Sequence, residues 1–494
     1  MSRLCKAVSV LLLVFPFALF SYQVAAQAEF KPGGKLSGDS GFAAFKNDMQ
    51  QGFVSYRDQV QKEAREFAAL HEQISEGYEN RIANVWAAPE QSSRTRWVLY
   101  EDNYTHKRVV DFEEGVIFWS TPEQYANVGF GLAEARSMLA GLMSVTRRQA
   151  FEQDEVASEV ESKSIAEFEH LETAVLDNKP VLPAYLFGDS EASQARVNKA
   201  IDAMLASASK DQLSQQGQAV VVWTFPLTSA ESATDTVIVD APESAPMAKP
   251  TPVIAKAKPA PTSPHQLKPK TASQPKVASP PKTVQAPAPI AAAKPPSVWQ
   301  TKAINAEQMK QLPARARPFV ASINRENVEF KLSAELLLAI METESAFNPM
   351  AKSPIPAFGL MQIVPGSAGQ DATEKLFGKP RLLAPSYLFN PENNIRVGAA
   401  YFNILYYRYF RGIKDPLSRL HCAVAAYNTG PGNVSKALTG RSMALRPAIA
   451  IANAMSSDEV YAHLMSNLPY EETVNYLRKV NSRLAKYEEV LSDD

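Results

Sequence analysis

Cysteine is almost absent from this chain: its 494 residues hold only Cys5 and Cys422. Once the first residues are removed, Cys422 has no partner, so stability must come from packing rather than disulfides. Histidine is equally sparse. His71, His106, His170, His265, His421 and His463 show no metal-ligand spacing, and no glycine-rich phosphate loop precedes a helix. Neither a metal nor a cofactor is therefore expected. The formal net charge is -1, from 51 basic and 52 acidic residues, which gives no footing for a nucleic-acid partner.

The apolar run over residues 8–20 is short for a membrane span and is broken by Pro16. Arg3 and Lys6 precede it, and the small residues of Val24-Ala25-Ala26 or Ala26-Gln27-Ala28 follow it. Residues 1–28 therefore read as a secretory signal. Export without disulfides suits a bacterial periplasm. Cys5 lies before the run rather than after it, so no lipid anchor to the outer membrane is expected.

Composition divides the remainder into three. Residues 236–300 are expected to be a disordered linker rich in Pro, Lys and Ala. Within it, residues 241–300 carry 15 of the 35 prolines and eight lysines against a single acid, Glu243. Eight minus one gives +7, leaving about -8 for the rest. Such a stretch buries too little apolar surface to offset its ordering entropy. It reads as a solvated, cationic spacer, up to ~190 Å long if extended at about 3.1 Å per residue.

Residues 29–235 read as an α/β accessory domain. Phe42, Phe45, Met49, Phe53, Tyr56, Val60, Phe67, Leu70, Ile74, Tyr78, Ile82 and Val85 recur mainly at three- and four-residue spacing, the stripe of one long helix. Residues 96–100, 108–112, 116–119 and 220–225 read as strands, with a hairpin turn at Glu113-Glu114-Gly115. A polar, helix-prone region covers residues 122–176. Its acids are expected to be solvated on helix faces, and no catalytic cluster is evident. Residues 301–494 read as an all-α domain. Ser333 is a candidate N-cap before the apolar run 336–340, and the runs 398–406 and 423–427 are further candidate core helices.

The chemistry concentrates after that first run, in Met341-Glu342-Thr343-Glu344-Ser345-Ala346-Phe347-Asn348-Pro349. On a helix, Glu344 shares a face with Leu337, Ile340 and Met341, whereas Glu342, two residues away, points elsewhere. One carboxylate is thus expected in apolar surroundings and the other in water. Burial raises a carboxylate pKa, as a general acid near neutrality requires.

Gly359-Leu360-Met361-Gln362-Ile363, Ala426-Tyr427-Asn428-Thr429-Gly430 and Glu472-Thr473-Val474-Asn475-Tyr476 follow in order. With Glu344-Ser345 they resemble the soluble lytic transglycosylase domain, whose fold is the goose-lysozyme-like helical one. Lys352-Ser353-Pro354 and residues 390–395 fit the same pattern. Residues 337–345, 386–391 and 473–480 resemble the membrane-bound lytic murein transglycosylase C subfamily. So do Trp86, the segment 100–104 and the segment 108–115, which resemble its N-terminal domain. Two departures stand out: no cysteine follows the signal, and a long linker separates the two domains, leaving their relative placement open.

The resemblance implies a lyase that cleaves the β-1,4 bond between N-acetylmuramic acid and N-acetylglucosamine in peptidoglycan, leaving a 1,6-anhydro end. It implies Glu344 as acid and base, with Tyr476 orienting it. Gln362, Met361, Asn428, Ser353, Ser345 and Tyr427 would contact the sugars. For Met361 and Tyr427 core packing is a competing role, and for Ser345 and Asn348 it is helix capping. Cell-wall, divisome or elongasome proteins are candidate partners of the N-terminal domain. A lysozyme-type hydrolase would need a second carboxylate, for which Asp371, Glu374 and Glu392 are the candidates. A non-catalytic wall-binding scaffold would need no acid at all.

Overall fold

The computed structural model describes residues 40–126, 130–188, 191–228 and 301–492, with side chains from Gln51 onward except Phe53. The expected signal segment and linker lie outside the described residues, as do Cys5 and the side chains of Phe42, Phe45 and Met49. Helix α1 spans Ser40–Ala83. Over the part that belongs to the unit of residues 62–494, it buries Phe67, His71, Ile74, Tyr78 and Ile82, one face at helical spacing.

An antiparallel sheet follows, with strands β1 (Arg96–Glu101), β2 (His106–Asp111) and β3 (Val116–Pro122) as a meander. The turn from β2 to β3 is fixed by Asp111, whose carboxylate accepts the backbone N–H groups of Glu113 and Glu114 at 3.1 and 2.9 Å. Gly115 completes it at φ 67°, a value that glycine adopts without strain. Helices α2 (Leu132–Ser144), α3 (Arg147–Gln153) and α4 (Glu155–Glu167) follow, then the two-residue β4 (Leu171–Glu172), α5 (Val181–Phe187) and α6 (Gln194–Ala206). Strands β5 (Ser209–Gln215) and β6 (Gln218–Pro226) complete the order β1-β2-β3-β6-β5. β5 escaped the sequence reading because it is an edge strand of polar residues exposed on both faces, with no alternation to betray it.

The second region is helical: α7 (Ala306–Gln311), α8 (Val320–Phe330), α9 (Ala334–Ser345), α10 (Ala368–Phe377), α11 (Pro385–Phe389), α12 (Pro391–Ile404), α13 (Pro416–Thr429), α14 (Pro431–Thr439), α15 (Leu445–Ala452), α16 (Ser457–Asn467) and α17 (Glu471–Val490). Ser333 caps α9 by accepting the Leu336 N–H at 3.2 Å. Leu336 through Met341 are all buried, so α9 is apolar around its circumference and runs through the core, packed against α17 and α8. One short strand, β7 (Leu382–Leu383), interrupts the helices. It pairs in parallel with β4 of the first region.

That pairing is part of a docking that joins the two regions, whose relative placement the sequence left open. Several acids expected to be solvated on the first region's helices instead serve the contact. Asp154 holds Lys352 at 2.7 Å, with only 12% and 6% of the two side chains exposed. Glu161 accepts the Ser386 backbone N–H at 2.8 Å, Glu172 pairs with Arg381, and Glu113 meets Lys479 at 3.3 Å. His71 packs edge-on against Phe358, with ring centroids 5.9 Å apart. Polar groups removed from water at a contact must find partners; Asp154, Lys352 and Glu161 find theirs across it, whereas both ring nitrogens of the buried His71 have none among the described residues.

The Lys352–Asp154 pair sets a testable cost. Breaking a buried ion pair from one side strands the other charge, typically at about 3–5 kcal/mol. Lys352→Met is expected to destabilise the chain by about 3 kcal/mol in urea unfolding, and adding Asp154→Asn should restore most of the loss. A Lys352→Met penalty below about 1 kcal/mol, as for an exposed pair, would show that the docking does not depend on it.

Candidate active site

α9 delivers Glu344 in its last turn and then stops abruptly. Ala346 caps it in the left-handed conformation, φ 49°, its N–H reaching the Glu342 carbonyl at 3.1 Å. Phe347 follows at φ 64°. Two consecutive non-glycine residues with positive φ store strain of order 1–2 kcal/mol each. They are held by the burial of Phe347 and its stacking on Phe319, with ring centroids 6.4 Å apart.

The Gly359–Ile363 turn lies alongside. Gly359 sits at φ 75°, where an added Cβ would fall on the Leu388 carbonyl oxygen and the Asn394 amide, so only glycine fits. Asn394, fully buried, organises the turn. Its Oδ1 accepts the Met361 N–H at 2.7 Å, and its Nδ2 donates to the carbonyls of Phe358 and Leu388, each at 2.8 Å. Gln362 takes φ 47°, and its Nε2 donates to the Gly359 carbonyl at 3.0 Å. Its Oε1 is buried without a hydrogen-bond partner among the described residues.

Glu344 is 4% exposed. Burial pushes its pKa up to about 7, against the pull of Arg94 and the Tyr476 hydroxyl, which favour the carboxylate, and with a smaller upward push from Glu472. Tyr427 also lies within electrostatic reach, and burial raises both tyrosine pKa values well above the ordinary one. The Tyr476 hydroxyl feels Glu344 but makes no hydrogen bond of ordinary geometry among the described residues.

Glu342 corrects an expectation. It is 5% exposed rather than solvated. Its carboxylate accepts from Arg315 at 2.9 Å and Tyr487 at 2.8 Å, with Lys486 at 3.3 Å and Arg483 at 3.8 Å. Burial alone would raise its pKa, but Lys486, the Tyr487 hydroxyl, Arg315 and Arg483 together hold it below the usual carboxylate range. The helical spacing that turned it away from Glu344 turned it into a second buried environment.

The other candidate residues fall into two groups. Tyr427 donates to the Met361 carbonyl at 2.8 Å and packs on Tyr401, with ring centroids 5.5 Å apart. Asn428 accepts from Thr473 at 2.7 Å, tying α13 to the first turn of α17, which carries Tyr476. Ser345 Oγ lies 3.0 and 2.9 Å from the carbonyl oxygens of Met341 and Leu360, joining α9 to the turn. These residues form one connected lattice around Glu344. Met361 is fully buried, and its side chain fills the place that a Cβ on Gly398 would take. Asn348 accepts the Met350 N–H at 3.0 Å. Ser353 closes its own loop, its N–H on the Ala357 carbonyl at 3.1 Å and its hydroxyl on the Ile355 carbonyl.

Of the carboxylates considered as a second acid, Asp371 lies 3.4 Å from the Tyr409 hydroxyl and Glu392 lies 3.7 Å from Arg325. The carboxylate whose charge Glu344 does feel is Glu472. Arg94, from the other region of the chain, stands 3.9 Å from Glu344 and 3.3 Å from Glu472. Nothing in its own stretch, Ser92-Ser93-Arg94-Thr95, marked it in the sequence.

The site is thus a buried acid, its pKa pushed up to about 7, with three sequence motifs gathered around it. Residues 321–445 match the family model of the Transglycosylase SLT domain. Over 176 residues the chain is 40% identical to membrane-bound lytic murein transglycosylase C of Sodalis glossinidius and to that of Pectobacterium atrosepticum. Each alignment covers 36% of this chain and 48% of the relative, so the match spans about half of the curated proteins' length. Among solved structures, the 70 kDa soluble lytic transglycosylase of Escherichia coli matches at 26% identity and TM-score 0.27, over 37% of this chain and 28% of that one. The lytic transglycosylase Slt of Pseudomonas aeruginosa matches at 30% identity and TM-score 0.26, over 36% and 25%.

The raised pKa of Glu344 has a consequence for stability. A folded pKa of about 7 against an ordinary 4.5 means that the native state holds this proton more tightly than the unfolded chain. The contribution is full below pH 4.5 and lost as pH rises through 7, where ionising the buried group costs about 3 kcal/mol. Glu344→Gln should therefore match the parent's melting temperature near pH 4.5 and exceed it near pH 8. An equal difference at both values would show that the carboxyl is not shifted.

Proposed function

We propose that the chain is a peptidoglycan lytic transglycosylase of the periplasm, acting in cell-wall turnover, with residues 301–494 as its catalytic domain and residues 29–235 as its accessory domain. The observation that carries this reading is the buried Glu344 at the end of α9, its pKa pushed up to about 7, within the stretch that matches the Transglycosylase SLT domain. The names of the relatives supply the substrate, murein.

A single carboxyl suffices when the nucleophile belongs to the substrate. Glu344 gives its proton to the glycosidic oxygen as the bond to C1 of N-acetylmuramic acid breaks. The C6 hydroxyl of the same sugar then attacks C1 and passes its proton to the Glu344 carboxylate. The acid is regenerated, a 1,6-anhydro ring forms and no water is consumed. Tethering the attacking oxygen within the sugar gives it a high effective concentration, which replaces a second protein carboxylate. Tyr476 lies where it can follow the changing charge of Glu344. Asn428, Gln362 and the backbone about Met361 are proposed to receive the acetamido groups, with Tyr427, Ser345 and Ser353 lining the approach.

The test is digestion of purified peptidoglycan by the full chain, with products read by mass spectrometry. Anhydromuropeptides are expected, and Glu344→Gln should lower their rate by about 10³-fold. The rate should also fall about tenfold per pH unit above 7, as the acid loses its proton. Products heavier by one water would replace this reading with a lysozyme-type hydrolase. Retained binding to sacculi with no cleavage would replace it with a scaffold.

A further inference from the structure

Arg94 belongs to the loop between α1 and β1, far in sequence from the catalytic helices, yet it stands at their centre. Its guanidinium bridges two carboxylates, 3.9 Å from Glu344 Oε2 through Nη1 and 3.3 Å from Glu472 Oε1 through Nη2. The Arg94 side chain is 39% exposed while that of Glu344 is 6% exposed.

The loop that carries it is fixed from both sides. Ser93 donates its N–H to the Arg96 carbonyl at 2.8 Å, and its hydroxyl accepts the Arg96 N–H at 3.2 Å. Ser92 Oγ accepts the Val98 N–H at 2.9 Å, and the Thr95 carbonyl accepts the Phe112 N–H at 2.8 Å. Those contacts tie the loop to β1 and β2. On the other side, the Ser93 carbonyl accepts the backbone N–H of Lys352 at 3.3 Å, and Lys352 is itself locked to Asp154. A guanidinium so mounted is not a wandering surface charge.

We infer that Arg94 is a positioning residue for the glycan-cleaving reaction, contributed by the amino-terminal region and stabilising the ionised Glu344 between its two proton transfers. The inference rests on the reading of Glu344 as acid and base. The groups that face Glu344 are Arg94 from the loop, Glu472 and Tyr476 from α17, and Tyr427 from α13. Among the described residues Arg94 is the single cation in this set. Before proton transfer Glu344 is neutral and the contact is weak. After transfer it is a buried carboxylate, and the one charge that compensates it is Arg94. Glu472 keeps the guanidinium in place when Glu344 is neutral. The catalytic centre is thus complete only when the two regions are docked.

The test reads the carboxyl itself, so that it does not depend on turnover. In full-length protein carrying glutamate labelled with carbon-13 at its side-chain carboxyl, the Glu344 resonance is the one lost in Glu344→Gln. Arg94→Gln should move its titration midpoint upward by about one pH unit and lower kcat on peptidoglycan about tenfold with little change in KM. Arg94→Lys, which keeps the charge, should recover most of the midpoint. A Glu344 midpoint in Arg94→Gln equal to the parent's would overturn the inference. A parent chain that cleaves no peptidoglycan would instead overturn the transglycosylase reading, and the titration would still decide whether Arg94 governs Glu344.

Discussion

A carboxyl group keeps its proton near neutral pH only if water is kept from it, and the structure around Glu344 is arranged to meet that condition. The preceding turns of α9 are apolar on every side, so the helix can run only through the core, and its end is the first place where a polar group can emerge. The left-handed Ala346 and Phe347 stop the helix immediately after Glu344. The strain is tolerated because Phe347 is buried and Ser345 joins the helix end to Leu360 of the adjacent turn.

The two glutamates of α9 make the same point by contrast. Glu342 and Glu344 are two residues apart and almost equally buried. One is surrounded by Lys486, Arg483, Arg315 and Tyr487 and is held ionised. The other has a single, longer contact to a cation, and burial pushes its pKa up to about 7. Burial is common to both, so it does not set their roles; the number and closeness of the compensating donors does. Glu342 joins α9 to α17 and to the Arg315 segment, and thereby fixes the helix on which Glu344 must be placed to within a fraction of an ångström.

Much of this was legible in the sequence wherever the cause is local. Ser333 as N-cap, the turn at Glu113-Glu114-Gly115 and the strands about β2, β3 and β6 follow from capping, turn chemistry and β-branched content. The environment of Glu344 followed from helical spacing against Leu337, Ile340 and Met341. What escaped depends on partners distant in the chain. Glu342 was expected in water because its own neighbours gave no sign of Lys486 or Tyr487, more than 140 residues away. Asp154 and Glu161 looked like ordinary helix-surface acids until Lys352 and Ser386 were placed against them. β5 carries no apolar alternation, since its ladder with β6 and not its side chains defines it.

Arg94 is the extreme case of a distant partner, and it shows why the docking between the two regions carries more than stability. A contact made only of apolar surface would tolerate sliding by an ångström at little cost, because the hydrophobic effect is not directional. This contact adds directional bonds to apolar packing such as Phe151 on Phe389: Lys352 with Asp154, Ser386 with Glu161, and the Ser93 carbonyl with the Lys352 N–H. Each has an optimum of a few tenths of an ångström. Such a fastening is what a charge needs if it is to be presented to Glu344 at a constant distance, because the energy of that pair changes steeply with separation once water is excluded. The directional bonds of the contact and the placement of Arg94 beside Glu344 therefore answer one physical requirement, met by residues that sequence separates by hundreds of positions.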